Sequence, residues 1–219
     1  MSKIRTLNDY RSNNSQPPRG GPSGFQSFQS GVDQSQTNIF KSIFNLLFPG
    51  FTIKSLNFCF LVTLILVYII QLIVNALSSK GWYCTLYWMG AKYTYSITHS
   101  YHFHRLFMPI LLHSHLSHLL WNLIPFAMTG FSLETFLGRA EYGLLLVLGG
   151  LTGYLSSAVF RPTDLAVGAS TSLYAVFGAL CVEFWVTYRA THNPLQQQYS
   201  VLFVLMMGIA LLNGLLPSA

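Results

Sequence analysis

The feature that most constrains this chain is a set of apolar segments, each long enough to cross a lipid bilayer. A spanning helix needs about 20 mostly apolar residues, because hydrocarbon offers no partner for an unpaired backbone amide. Hydrophobic residues make up 52% of the 219 residues and charged residues only 8%, too few to coat a soluble protein of this size. The sequence therefore predicts an all-α membrane protein. Five spans are expected, at about 57–77, 106–131, 142–160, 168–188 and 199–215.

The segments ahead of the first span have a different composition. Residues 1–38 are rich in Ser, Gln, Asn, Gly and Pro, which cannot bury enough apolar surface to offset chain entropy, so a disordered cytosolic tail is predicted. A juxtamembrane segment over 39–56 follows it. A mitochondrial presequence is the alternative for the basic, Ser-rich tail, although its acidic, Pro and Gly residues weaken an amphipathic helix. Six of the twelve Lys and Arg lie between Lys3 and Lys54, which favours a membrane surface over nucleic acid.

The positive-inside rule favours a cytosolic N-terminus, so the second and fourth spans enter from the outer face. His113 and Ser170 are then expected at similar depth in one leaflet. Three glycines in the third span, Gly149, Gly150 and Gly153, predict close helix contact. The cysteines, Cys59, Cys84 and Cys181, lack the spacing of a disulfide framework or a zinc cluster.

The fourth span opens with Gly168-Ala169-Ser170. A serine in the first turn of a helix has free backbone amides and the positive end of the helix dipole beside it, which suits a developing oxyanion. Tyr174 and Gly178 follow at intervals of four and share its helix face. An ordinary helix cap followed by small-residue packing is the alternative, and the motif taken alone favours it.

The second span carries three histidines and an asparagine, which are costly in a bilayer unless they face a polar cavity. His118 and Asn122 are four residues apart, and both side chains can donate to an oxyanion. Interhelical hydrogen bonding is one alternative. Metal binding by His113, His115 and His118 is another, weakened because no carboxylate accompanies them and because they point in different directions.

Together these motifs resemble the rhomboid family of intramembrane serine proteases. His113, His118 and Asn122 match the family's pattern on its second core helix, and Gly168-Ala169-Ser170 matches the Gly-x-Ser motif of its fourth. The resemblance extends from about His104 to the C-terminus. It also includes Arg105, Tyr174, the Gly178-Ala179 pair, and Glu134 with Gly138-Arg139.

The resemblance implies a rhomboid-like helical bundle, with five of the six core helices present, that cleaves transmembrane helices of membrane-protein substrates. Ser170 would be the nucleophile of a Ser-His dyad, and His118, Asn122 and the Ser170 amide would form the oxyanion site. His113 would hold the helices in register, Gly168 would let substrate approach, and Tyr174 would pack against the general base. No cofactor is expected, and the histidine set and the charge distribution predict no metal and no nucleic-acid partner.

Two departures from the family qualify this expectation. Rhomboids take their general base from a histidine of the sixth helix, which is absent from this chain, and His192 is predicted on the cytosolic side. A truncated protease, inactive as given, is therefore the leading expectation, and an inactive relative that binds membrane proteins for trafficking or degradation is the alternative. Thr171 stands where most members have glycine and is expected to add bulk beside the oxyanion site. A secretory-pathway or plasma membrane is preferred over the mitochondrial inner membrane.

Overall fold

The computed structural model describes residues 39–45 and 47–190, and every regular element in these ranges is a helix. Residues 39–45 form a short helix within a first compact unit, Met1–Leu46. The other elements belong to a second unit, Leu47–Ala219. Within its described residues the α-helices are α1 (Leu56–Ser78), α2 (Trp82–Trp88), α3 (Thr94–Ser100), α4 (Leu116–Leu137), α5 (Arg139–Phe160) and α6 (Ser170–Ala190). The predicted all-helical fold is confirmed.

Four long helices correspond to the first four predicted spans, and α1 and α5 are long and apolar enough to cross a membrane. The second span differs from its predicted bounds. Residues 103–110 form two short 3-10 turns, with Pro109 in the second, and α4 begins only at Leu116 and continues to Leu137. Apolar content alone cannot distinguish such turns from a helix. The predicted tail at 1–38 and the fifth span at 199–215 lie outside the described residues.

The core lies where α1, α4, α5 and α6 meet, and its fully enclosed side chains include Leu64, Phe126, Leu133 and Val176. Large apolar residues on the outer faces of these helices remain exposed, among them Leu66 on α1 and Leu144 on α5. Such faces are costly in water and suit a lipid environment.

A buried polar network joins the first three long helices. Both carboxylate oxygens of Glu134, on α4, accept from the backbone amides of Leu56 and Asn57 at 2.8 Å each, which caps the start of α1. Tyr142 Oη, on α5, donates to Asn57 Oδ1 at 2.7 Å, and Asn57 Nδ2 donates to the Phe126 carbonyl at 3.0 Å. These bonds satisfy polar groups that would otherwise be costly inside the bundle.

The contact between α5 and α6 depends on the three glycines of α5. A methyl group at Gly149 would overlap the Cβ of Ala175, and one at Gly153 would lie 2.5 Å from Cβ of Thr171. At Gly150 it would lie 2.7 Å from Ser172 Oγ. The predicted close helix contact is therefore present, and it fixes the depth of α6 against α5.

Candidate active site

Ser170 is the first residue of α6, as its sequence context predicts. The preceding Gly168 has a φ of +127°, a left-handed conformation that side chains disfavour. Its amide donates to the Pro109 carbonyl at 2.8 Å, and its carbonyl accepts from Tyr154 Oη at 2.6 Å. The backbone just before Ser170 is therefore fixed by two hydrogen bonds, one to Pro109 and one to Tyr154.

The structure brings His118 and Ser170 to the same side of Gly168. A methyl group placed on Gly168 would lie 2.7 Å from both Cε1 and Nε2 of His118 and 3.7 Å from Ser170 Oγ. The Nε2 edge of the imidazole and the serine hydroxyl thus border one small space, which only the absence of a side chain at Gly168 leaves open. Such a space is where an oxyanion donor and a nucleophile need to meet.

The His118 ring is oriented by its own segment. Its Nδ1 lies 3.0 Å from Oγ of Ser114, a hydrogen bond whose direction depends on the tautomer. When the serine hydroxyl donates, Nε2 carries the proton and can donate towards Gly168 and Ser170. Ser114, four residues before His118, is a site residue that the sequence reasoning missed, although that spacing could have indicated it.

His115 caps α4 rather than facing Ser170. Its Nδ1 accepts from the His118 amide at 3.0 Å and lies 3.0 Å from Ser117 Oγ. Among the described residues, no group of three His, Cys, Asp or Glu side chains is arranged to hold a metal ion. His113, His115 and His118 therefore have different surroundings, although they are close in sequence.

His113 is fully buried just before α4. Gln71 of α1 binds its backbone in both directions, accepting from the His113 amide at 3.1 Å and donating to its carbonyl at 3.0 Å. The His113 ring lies edge-on to the His118 ring, with centroids 5.3 Å apart. These contacts fit the expected role of holding the helices in register, which stays a prediction.

Asn122 and Tyr174 lie one turn further into their helices. Asn122 is buried, and its amide donates to the His118 carbonyl at 2.9 Å. This bond keeps the carboxamide against α4, one turn below the imidazole. Tyr174 is half-buried and packs against the main core. Their proposed roles toward an oxyanion and a general base stay predictions.

Thr171 packs against α5. Its Cβ and Cγ2 would each lie 2.5 Å from a methyl group at Gly153, and its Oγ1 is enclosed without a hydrogen-bond partner among the described residues. The bulk that the sequence was expected to place beside the oxyanion site is thus accommodated by a glycine on the neighbouring helix.

The comparisons with known proteins agree with the motifs. The Rhomboid domain family model matches residues 100–219. RHOMBOID-like protein 1 of Arabidopsis thaliana is 31% identical over 133 residues, 61% of this chain and 34% of that protein. Rhomboid-like protease 3 of Toxoplasma gondii is 27% identical over 154 residues, 70% of this chain and 58% of that protein. Inactive rhomboid protein 1 of Rattus norvegicus is 31% identical over 116 residues, 52% of this chain and 13% of that protein.

The matched region covers only part of each relative, about a third of the length of RHOMBOID-like protein 1. The relatives include both a protease and an inactive member by name. The family match spans more than half of the chain and includes α4, α5 and α6 with the His118 and Ser170 motifs. This chain is a multi-pass membrane protein that belongs to the rhomboid family.

Proposed function

We propose that this protein is an intramembrane serine endopeptidase that cleaves transmembrane helices of other membrane proteins. The observation that carries the proposal is the shared space over Gly168, bordered by Ser170 Oγ on one side and His118 Nε2 on the other. A helix N-terminus at Ser170 adds its free backbone amide and the positive end of the dipole to that space.

In this reaction Ser170 Oγ attacks the carbonyl carbon of the scissile peptide bond, and its proton passes to a general base. The carbonyl oxygen becomes an oxyanion, stabilised by the Ser170 amide, by Nε2–H of His118 and by the Asn122 carboxamide. Collapse breaks the C–N bond, and the leaving amine takes the proton from the base. Water then hydrolyses the serine ester and frees Ser170. Serine needs a base in reach, and the rhomboid resemblance assigns it to a histidine of a sixth helix.

The proposal is tested on the full-length protein, reconstituted in liposomes with single-span transmembrane substrates. Wild type should cleave a substrate and should react at Ser170 with a fluorophosphonate probe. Ser170→Ala should abolish both activities. Ser156→Ala, which changes an exposed serine on α5, is the matched control and should leave both unchanged. Cleavage that persists in Ser170→Ala would overturn the proposal, as would a wild type with neither activity.

A catalytically inactive role is the second candidate, and the similarity to Inactive rhomboid protein 1 favours it. Such a protein would bind transmembrane helices for trafficking or degradation without cutting them. It predicts that wild type and Ser170→Ala bind the same substrate helix with equal affinity and that neither cleaves it. Cleavage by wild type alone decides for the protease.

The same proposal includes a cytosolic N-terminus and a secretory-pathway or plasma membrane location. The excess of Lys and Arg ahead of α1 supports this orientation through the positive-inside rule. Protease protection of an N-terminal epitope tag in sealed microsomes tests it, and a tag protected inside the lumen would contradict it.

A further inference from the structure

Lys92 is a fully buried lysine in the loop between α2 and α3, far in sequence from Ser170. Burying an ammonium group is costly unless hydrogen bonds replace its water. Its Nζ donates to the Arg161 carbonyl at 2.7 Å and to the Ser157 carbonyl at 3.4 Å. Both carbonyls lie at the C-terminal end of α5, where the helix dipole favours a cation. Each also accepts a backbone bond, Ser157 from the Arg161 amide at 2.9 Å and Arg161 from the Asp164 amide at 3.3 Å, so Nζ is a second donor to each.

The backbone of Lys92 is bound to the same region. Its amide donates to the Ala166 carbonyl at 2.9 Å, and its carbonyl accepts from the Ala166 amide at 3.1 Å. One residue therefore holds the connection between α5 and α6, residues 161–169, at two separate points. Nearby, Thr94 Oγ1 donates to the Ala158 carbonyl at 3.4 Å, so the start of α3 also contacts the C-terminal end of α5.

This α5–α6 connection leads directly into the candidate active site. Two residues after Ala166, Gly168 is held by Pro109 and Tyr154 and faces the His118 ring. Because the connection is short, a shift at Arg161 or Ala166 changes where α6 begins and where Ser170 Oγ lies. A displacement of about 1 Å is enough to cost about a hundredfold in rate when the reacting groups must align.

The charge around Lys92 is consistent with this arrangement. Burial lowers the pKa of Lys92, and the Asp164 carboxylate opposes that shift while the Arg161 guanidinium adds to it. Arg161 and Asp164 form an ion pair at 2.7 Å within the connection. The Lys92 ammonium therefore binds the connection through the Arg161 carbonyl and the end of α5 through the Ser157 carbonyl, while the nearby Asp164 carboxylate favours its charged form.

We propose that Lys92 is a positioning residue for peptide cleavage: it fastens the α5–α6 connection to the α2–α3 loop and thereby sets the place of Ser170. The inference rests on the proposed protease function. A general stabilising role would change the stability of the whole protein. A positioning role predicts that loss of Lys92 loosens the α5–α6 connection and lowers kcat.

The test compares Lys92→Met with Lys80→Met in the full-length protein. Lys80 lies in the preceding loop, between α1 and α2; it is exposed, and its ammonium lies over the Trp88 ring. Hydrogen exchange of peptides covering 161–169 is measured beside kcat and KM for a transmembrane substrate. In Lys92→Met we expect exchange of the connection to rise about tenfold and kcat to fall about tenfold or more, with KM nearly unchanged. Lys80→Met should resemble wild type in all three.

Lys92→Arg keeps the charge and a donor, so it should retain more of kcat than Lys92→Met. Lys92→Gln, which removes the charge, serves as the test variant if Lys92→Met does not fold. Unchanged exchange of 161–169 in active Lys92→Met or Lys92→Gln protein overturns the inference and leaves the protease function intact. Faster exchange with unchanged kcat overturns it as well. A wild type that cleaves nothing overturns the proposed function and this inference together, so the two failures are distinguishable.

Discussion

The imidazole of His118 lies against the Cα atom of Gly168, where a methyl group would come within 2.7 Å of both Cε1 and Nε2. This contact sets the width of the space that Ser170 Oγ borders. The glycine also has a φ of +127°, so a side chain there is disfavoured by backbone conformation as well as by contact. Two independent reasons therefore favour glycine at position 168: its backbone conformation and the close approach of the His118 ring.

Gly168→Ala should therefore abolish most activity. The added methyl group must displace the His118 ring or move the start of α6, and either change misaligns the nucleophile, with an expected fall in kcat of about a hundredfold. Cleavage of a reconstituted substrate measures it. Gly143→Ala, on α5, is the matched control, because a methyl group there makes only an ordinary contact among the described residues, 3.5 Å from Leu56 Cδ1, and should leave kcat near wild type. A Gly168→Ala variant with wild-type kcat would show that the reaction does not need the space between Ser170 Oγ and His118 Nε2.

Ser114→Ala should reduce kcat with little change in KM. The Ser114 hydroxyl lies 3.0 Å from His118 Nδ1, and a donated hydrogen bond there favours the tautomer with a proton on Nε2. Losing this preference should cost about tenfold in the chemical step, and Ser114→Thr, which keeps the hydroxyl, should recover most of it. Ser117→Ala removes a neighbouring hydroxyl that contacts His115 instead and should stay near wild type. Equal kcat in all three variants would contradict the orienting role.

Gly153 and Thr171 should be energetically coupled. Gly153→Ala places a methyl group 2.5 Å from Cβ and Cγ2 of Thr171, and such overpacking costs about 1–3 kcal/mol of unfolding free energy. Thr171→Gly removes the opposing side chain, so the double variant should be more stable than Gly153→Ala alone. Equilibrium unfolding in mixed detergent micelles measures the coupling. Additive effects of the two substitutions would mean that the side chains do not share this space.

The structural features that could be predicted are those that depend on residues close together in the sequence. The start of α6 at Ser170 and the close packing at Gly149 and Gly153 follow from small residues at fixed positions. The start of α4 was misplaced by ten residues, because the apolar residues at 106–112 look alike in a helix and in 3-10 turns. Pro109 is a contrary signal, because proline is disfavoured in a helix interior.

Long-range partners could not be predicted in the same way. Gln71 is one of several polar residues in the apolar first span, and nothing in the sequence indicates that its amide binds the backbone of His113. Lys92 binds backbone carbonyls, which carry no sequence signature, so its buried position is known only from the structure. The Thr171 contact with Gly153 is similar, since it depends on how α5 and α6 are aligned.

Tyr142→Phe should destabilise the bundle without touching the active site. Tyr142 and Asn57 are both fully buried, and the phenol donates to Asn57 Oδ1 at 2.7 Å. Removing the hydroxyl leaves a buried amide oxygen without that donor, which costs about 1–3 kcal/mol of unfolding free energy. Tyr83→Phe, at an exposed tyrosine of α2, should change it little. Equal unfolding free energies for the two variants would contradict this bond's role.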